Sequence, residues 1–419
     1  MKRVPLFLFV LAAAVNSSYA AEWTVRPGES ISAAVRAAKK GDTVKVERGD
    51  YTDHIVIDKP LTLKGINRPT LSGANSGDVI RVKAPDVVIE GLIIRDSGPD
   101  LGAENAGIYL EPGSDRAIIR NNDLIYNLFG LWLVKSNDIQ VINNIITGKR
   151  DFSSAQRGNG IQLYNTTGAQ IIGNNISFAR DGIYVDVSHQ ALFRNNKIHH
   201  LRYGTHYMNS YYNVWEGNES YLNRGGLALM EVKNQMVRNN KAWGNSDHGI
   251  MLRTIQDSVI DGNVVAGNGR GFFIYDAEYN TLKNNLVIGN RVGVHLWAGS
   301  VRNVVEGNDF IQNRDQIKFV ATKDEYWGVK IGNHWSNYQG WDRDGDGIGD
   351  FPYEASDVVD RLIWRHPFMK LLLNSPAVQT LRMVARQFPL LRATSVVDPH
   401  PRMQPFHSDW SKWIGTQRD

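Results

Sequence analysis

Between residues 342 and 350 the chain places carboxylates at relative positions 1, 3, 5 and 9, namely Asp342, Asp344, Asp346 and Asp350, with glycines interspersed. Four acids this close repel one another unless a cation lies among them. Calcium takes about six to eight oxygen ligands in a sharply curved loop, and acids alternating with glycine supply both. The Ile348 carbonyl stands at position 7 as a further ligand. Position 12 is Tyr353 and not the bidentate acid that completes an EF-hand. The segment reads as a calcium-type site, with a solvated acidic turn as the alternative.

A second group is soft. His206, Met208, Met230 and Met251 recur at spacings of about one structural repeat. Imidazole and thioether suit Cu(I), whereas calcium and magnesium pass them over. The group reads as a transient copper relay or docking point, and simple packing of Met on a β surface is the alternative.

Both groups depend on the elements that carry them, and those elements repeat. A Gly followed by an apolar-x-apolar triplet stands at 107, 130, 160, 182, 204, 226, 249, 271 and 293, in steps of 22 or 23 residues apart from one of 30. A second marker, usually Asn-Asn or Gly-Asn, places its second Asn at 122, 144, 174, 196, 218, 240, 263, 285 and 308, with the same step lengths. One and three residues after each Gly, and three before each Asn, the residues are almost all apolar. Alternation over such short runs means strands. A unit this small cannot bury its apolar face alone, so coils must stack. The expected fold is all-β, a right-handed parallel β-helix of about 22-residue coils. Asn tolerates the left-handed turn conformation, and stacked Asn side chains can form a ladder. A leucine-rich horseshoe would need a Leu-x-x-Leu-x-Leu unit that is absent.

The first hundred residues are less regular. Strands are expected over 44–46, 55–57 and 61–63, and Ile89-Glu90-Gly91-Leu92 is in frame with Val305-Glu306-Gly307-Asn308. Residues 30–40 read as an amphipathic helix with Ser30 as N-cap, placed to cover the open strand edge. Longer coils over 97–106 and 148–158 mark protrusions, the second carrying Lys149, Arg150 and Arg157.

Outward positions of the Gly-marked strand are unusual for a solvated sheet. Two and four residues after the Gly they include Tyr184, His206, Met208, Met230, Met251, Phe273, Tyr275, His295 and Trp297. An aromatic and Met-rich stripe reads as a surface for another protein, unless the C-terminal tail folds over it. Tyr184, Phe273, Tyr275, His295 and Trp297 are its candidate contact residues.

Lys2 and Arg3 precede an apolar run from Val4 to Val15, and Ser18-Tyr19-Ala20 resembles a cleavage site. Residues 1–20 therefore read as a secretory signal, with a mature start at Ala21. The chain has no cysteine, so a large core and not disulfides must hold it in an oxidising compartment. A balance of 47 basic and 43 acidic residues is too even for a nucleic-acid partner.

Parallel β-helices host polysaccharide hydrolases, lyases and epimerases, and fold alone does not decide function. Hydrolysis needs two carboxylates across the scissile bond, and lyases need a base beside a cation that neutralises the sugar acid. No Asp-Asp pair or compact Asp/Lys/Arg group falls on adjacent coils. Asp247-His248 reads as a solvated turn, and Asp398-Pro399-His400, similar to an epimerase tripeptide, lies beyond the coils. No catalytic residue is assigned; a secreted carbohydrate-active β-helix is the alternative reading.

Beyond the last coil, Gly332-Asn333-His334-Trp335-Ser336-Asn337-Tyr338 runs into Trp341-Asp342-Arg343-Asp344-Gly345-Asp346-Gly347-Ile348-Gly349-Asp350 and Phe351-Pro352-Tyr353. This junction, with Arg365-His366-Pro367-Phe368 and the stretch after it, resembles the NosD family of periplasmic maturation factors of nitrous oxide reductase. The resemblance covers nearly the whole mature chain. It implies a non-enzymatic role beside an inner-membrane ABC transporter and a copper-delivering lipoprotein, assembling the copper centres of apo-nitrous oxide reductase.

In the tail, Ser375-Pro376 offers an N-cap and a first-turn Pro, followed by Val378, Leu381, Val384, Ala385 and Phe388 at helical spacing. Arg382 and Arg386 argue against a bilayer span. This helix either caps the last coil or docks on the transporter permease through Leu381 and Phe388. The expected division is a signal over 1–20, a β-helix over 21–320, a cation-binding loop over 321–360 and a docking tail over 361–419.

Overall fold

The structure, a computed structural model, describes residues 20–297, 299–319, 324–355, 368, 375–378, 380, 384 and 395–415. It is a parallel β-solenoid. Three sheets of 13, 13 and 12 strands run its length, each pairing a strand with its equivalent one coil away. Sheet 1 takes the strands before the Asn marker, from Glu22–Val25 to Val304–Glu306. Sheet 2 takes those after it, from Asp50–Thr52 to His334–Trp335, and sheet 3 the Gly-marked strands, from Ile55–Ile57 to Asp315–Phe319.

Inward columns explain the stack. Ile119, Val141, Ile171, Phe193 and Trp215 pair in sequence along sheet 1, and each is buried. They belong to one apolar core that continues from Val25 to Val396. The marker glycines let neighbouring corners close. A Cβ at Gly130 would sit 2.4 Å from the Gly160 carbonyl oxygen and 2.5 Å from Ile146, so no side chain fits there.

The Asn markers divide their labour. The first residue of each pair takes the left-handed conformation, as at Asn121 (φ 55°) and Asn195 (φ 54°). The second is buried and forms a ladder. Asn196 donates its backbone N–H and its Nδ2 to Asn218 Oδ1 at 3.0 and 2.9 Å, and Asn218 does the same to Asn240. Leu92 fills the equivalent slot where the ladder begins, donating its N–H to Asn122 Oδ1. A parallel ladder of Asn223, Asn245, Asn268, Asn290 and Asn313 lines the corner between sheets 2 and 3. Buried amides cost free energy unless paired, so each ladder stabilises only as an unbroken series.

Both ends are closed. Helix α1, Ile31–Ala37, is shorter than the 30–40 expected; Ser30 caps it by accepting from Ala33 N–H, and Ile31 and Val35 are buried in the core. At the other end, Val396–Asp398 joins Glu325–Tyr326 and Tyr353–Glu354 in a small sheet. Trp335 stacks between Phe310 and Tyr353, at 4.3 and 4.2 Å. Asp398 occupies the place of the next ladder Asn, accepting from Asn333 N–H and Nδ2 and from Trp335 Nε1. Trp410 and Trp413 pack on Ala266, Leu286, Ile288 and Ile311 of sheet 2.

Residues 395–413 are thus part of the closing cap, which corrects the reading of 361–419 as one docking tail. Sequence spacing missed this because the contacts bridge up to 98 positions, as in His407 to Asp309. Ser375 does cap a helical turn, accepting from Val378 N–H at 3.3 Å. Leu381 and Phe388 lie outside the described residues, as do the expected secretory signal up to residue 19 and Arg365 to Pro367. The 148–158 protrusion also differs from expectation. Lys149 is buried at 2% exposure, with its ammonium 4.4 Å from the Tyr126 ring centroid.

Candidate functional site

Sheet 3 sets the register of the outward stripe. Tyr184, His206, Ala228, Met251, Phe273 and His295 face one another in one column. Asp186 and Met208 lie in the next, as do Met230, Arg253 and Tyr275. Of the soft group, His206 and Met208 project from the same strand, Tyr203–Met208. Met230 follows Leu229, the partner of Tyr207, so it lies beside Met208 on the next coil. Met251 is two coils from His206, with the buried Ala228 between them.

His206 is held by groups that the spacing did not reveal. Its Nδ1 lies 3.1 Å from Asp181 Oδ2, and its ring meets Tyr184 edge-on at 4.7 Å. The Arg202 guanidinium grips the same carboxylate at 2.8 and 2.5 Å. Asp181 is fully buried; burial pushes its carboxyl up, but Arg202 and His206 together hold it below the ordinary value. Asp181 Oδ2 at 3.1 Å and the Arg202 guanidinium at 3.3 Å both face Nδ1. A proton on Nδ1 donated to Asp181 would leave the Nε2 lone pair available, the support that metal-binding imidazoles use. Met208 is partly engaged, its sulfur 3.7 Å from the Tyr184 hydroxyl. The missed signal was positional. Asp181 precedes its marker Gly directly, and Arg202, 21 residues on, meets it from the next coil at the same corner.

Further along the stripe, His295 lies 5.3 Å from both Phe273 and Trp297, and Tyr275 lies 6.2 Å from Trp297. Trp297 and Tyr275 are about 40% exposed, at 42% and 38%. His295 is buried, and burial first, then Lys318 and Arg270, brings its imidazole down to about 4.

Asp247-His248 corrects the reading of a solvated turn. His248 is fully buried, its ring filling the space over Gly225, where a Cβ would meet Nε2 at 2.5 Å. Asp247 pairs with Arg270 across one coil. A residue pair flanking a marker Gly looks like a turn in sequence, yet here the corner itself is covered.

The acidic loop brings Asp342, Asp344 and Asp346 together, with one carboxylate oxygen from each within 4.8 Å of the others. Asp342 curls the loop by accepting from Gly345 and Gly347 N–H at 2.7 and 2.9 Å, which holds its carboxyl below the usual range. Gly347, at φ 85°, takes a conformation that side chains rarely adopt. Asp350 is turned to Arg343, accepting from its N–H at 3.2 Å, and Ile348 bridges to Arg402 of the cap. The three leading acids are therefore gathered as expected, while Asp350 is occupied elsewhere.

The family model described as "Periplasmic copper-binding protein (NosD)" matches residues 142–340. The chain is 37% identical over 376 residues to "Probable ABC transporter binding protein NosD" of Stutzerimonas stutzeri, covering 86% of each chain. It is 38% identical to the protein of the same description from Pseudomonas aeruginosa, covering 85% of this chain and 87% of that one. Among solved structures it is similar to the A-module of the Azotobacter vinelandii mannuronan C-5 epimerase AlgE6, with a TM-score of 0.57, 14% identity, and coverage of 73% of this chain and 92% of that one. The Yersinia enterocolitica family 28 exopolygalacturonase follows, with a TM-score of 0.54, 11% identity, and coverage of 72% and 75%. At these identities the two enzymes show the fold alone. By its extended identity with two curated relatives, the chain belongs to the NosD family.

Proposed function

We propose that this chain is a periplasmic accessory protein that works beside an inner-membrane ABC transporter to assemble the copper centres of nitrous oxide reductase. A copper-chaperone lipoprotein and apo-nitrous oxide reductase are its further partners. The names of its relatives, one family described as copper-binding and two proteins described as ABC transporter binding, support the coarse outline. The observation that carries the reading is the Asp181–His206 pair set in a Met- and aromatic-rich face. Copper is cargo here. A carboxylate-oriented imidazole with thioethers from Met208, Met230 and Met251 nearby fits transient Cu(I) contact, as hard-cation sites do not. Tyr184, Phe273, Tyr275, His295 and Trp297 give the partner a rigid aromatic surface. Leu381 and Phe388 are offered to the permease.

The acidic loop completes the reading. Asp342, Asp344 and Asp346 bind calcium, with the Ile348 carbonyl joining and Asp350 turning to the ion from the Arg343 backbone N–H, and the ion stiffens the loop that Arg402 pins to the cap. The test is a pull-down of the mature chain from periplasm and membrane, with metal analysis of the eluate. Transporter permease and reductase are expected with it, copper falling at least tenfold in His206→Ala/Met208→Ala and calcium falling in Asp342→Asn/Asp346→Asn. Recovery of copper and reductase at wild-type levels with the first variant would overturn the assignment of the stripe.

A further inference from the structure

The corner between sheets 2 and 3 carries a basic ridge. Coil by coil, the residue at the head of this corner is Arg180, Arg202, Arg224, Asp247, Gly269, Arg291 and Arg314. Arg202 is neutralised by Asp181, and Asp247 pairs with Arg270. Arg180, Arg224, Arg291 and Arg314 have no carboxylate partner among the described residues.

Gly269 interrupts the ridge, and it cannot be replaced without moving backbone. A Cβ there would lie 2.5 Å from the Ser246 carbonyl oxygen and 2.6 Å from that of Asp247. The gap is a notch of about 510 Å³, lined by Ser246, Gln312, Arg291 and Arg314 together with backbone at Gly267 and Gly269. No acid and no apolar side chain is among its lining residues. Arg291 and Arg314 sit on adjacent coils, a strand spacing of about 4.8 Å apart, and both are exposed. The Ser246 hydroxyl and the Gln312 side-chain amide bond to no other described side chain.

Two guanidiniums, which can only donate, stand with a hydroxyl and an amide, which can donate, around an open notch that holds no acid. Such a set is complementary to a multiply charged tetrahedral oxyanion, whose oxygens accept forked N–H pairs. The volume exceeds what a bare anion fills, leaving room for a small group that carries it. We propose that this notch is a binding site for an oxyanion of the phosphate or sulfate class, either free or borne on a small molecule. It is separate from the copper-type face. Arg291 and Arg314 bind the anion, Ser246 and Gln312 orient it, and Gly269 keeps the space open.

The experiment is calorimetric titration of the mature chain at low ionic strength with inorganic phosphate and, in a parallel arm, with glycerol 3-phosphate. Wild type is expected to bind, Arg291→Gln and Arg314→Gln each to weaken binding at least tenfold, and the double variant to lose it. Arg180→Gln/Arg224→Gln removes equal charge from the same ridge outside the notch and is expected to stay within twofold. Equal weakening by that control would show diffuse charge attraction and overturn the site. So would absence of binding by wild type at roughly 10 mM ligand, a level that detects even millimolar affinity. Either ranking of the two ligands upholds the site, the tighter one naming the free or the carried anion as its source.

Discussion

Sheets 1 and 3 are built from the same coils, with the same alternation and the same one-coil pairing, yet over the central coils their outer faces differ in kind. On sheet 1 the outward column reads Lys45, Lys64, Glu90, Arg120, then Ile142 and Ile172, then Arg194, Glu216, Arg238, Asp261 and Lys283. Its charges answer one another across coils: Glu90 joins Lys64 and Arg120, at 3.1 and 2.7 Å, and Glu216 joins Arg194 and Arg238, at 2.7 and 3.0 Å. On sheet 3 the equivalent column from Tyr184 to His295 is, apart from Ala228, aromatic, thioether and imidazole. A charge ladder satisfies itself and asks for nothing but water. An aromatic and Met face gains only when something covers it. The solenoid fixes where side chains point, and the outward columns alone decide which face suits solvent and which suits the proposed partner.

The largest effect should erase the difference by removing what the faces share. Asn218 accepts from Asn196 and donates to Phe193 and Asn240, all within 3.0 Å. Asn218→Ala leaves these buried groups unpaired, at a cost of about 3 kcal/mol. Denaturant unfolding should show that loss, and hydrogen exchange should quicken on both faces alike. Quickening confined to one face would mean that the sheets are held separately. The next effect should be confined to sheet 3. Asp181→Asn weakens the acceptor that orients His206, and about a 10- to 100-fold loss of Cu(I) affinity is expected in competition with a chromogenic chelator. Glu216→Gln on sheet 1 should leave that affinity within twofold.

The coils were legible because two independent markers, Gly and Asn, recur with the same spacing, and because a strand shows its faces at every second residue. Even the outward columns of sheet 3 could be read in register. What escaped were contacts with no periodic signature. Asp398 ends the Asn ladder 65 residues beyond Asn333, and Asp309 receives His407 from 98 residues away. The closing cap was therefore read as a tail. At the candidate site, His206 and the Met residues stood out by type. Asp181 did not, because an Asp beside a Gly is the commonest thing in a turn. In the acidic loop, spacing foretold that Asp342, Asp344 and Asp346 come together, but not that Asp350 accepts from the Arg343 backbone N–H instead.

A smaller effect separates the faces by pH. His295 is held neutral down to about 4, mainly by burial, whereas the unfolded chain takes up a proton near the ordinary histidine value of 6.5. Between those values the unfolded state binds the proton and the folded state does not. The contribution is thus fully present above 6.5 and is lost as pH falls toward 4, by about 2 kcal/mol. Melting curves over this window should flatten in His295→Gln; an unchanged slope would place the imidazole in solvent.

The smallest effect tests the other face. Glu216 is flanked by Arg194 and Arg238 but is nearly a quarter exposed, at 23%, so the three-charge rung should be worth less than about 1 kcal/mol. Glu216→Gln should lower stability slightly at low ionic strength, and the deficit should fade as salt screens the pair. Sheet 3 substitutions such as Phe273→Ala should instead be less sensitive to salt, because Phe273 is held by packing on His295 and Trp297 and by a short-range contact with the Arg270 guanidinium, not by an exposed ion pair. If both variants responded to salt in the same way, the two outer faces would not differ in kind, and the aromatic stripe would lose its claim to a partner.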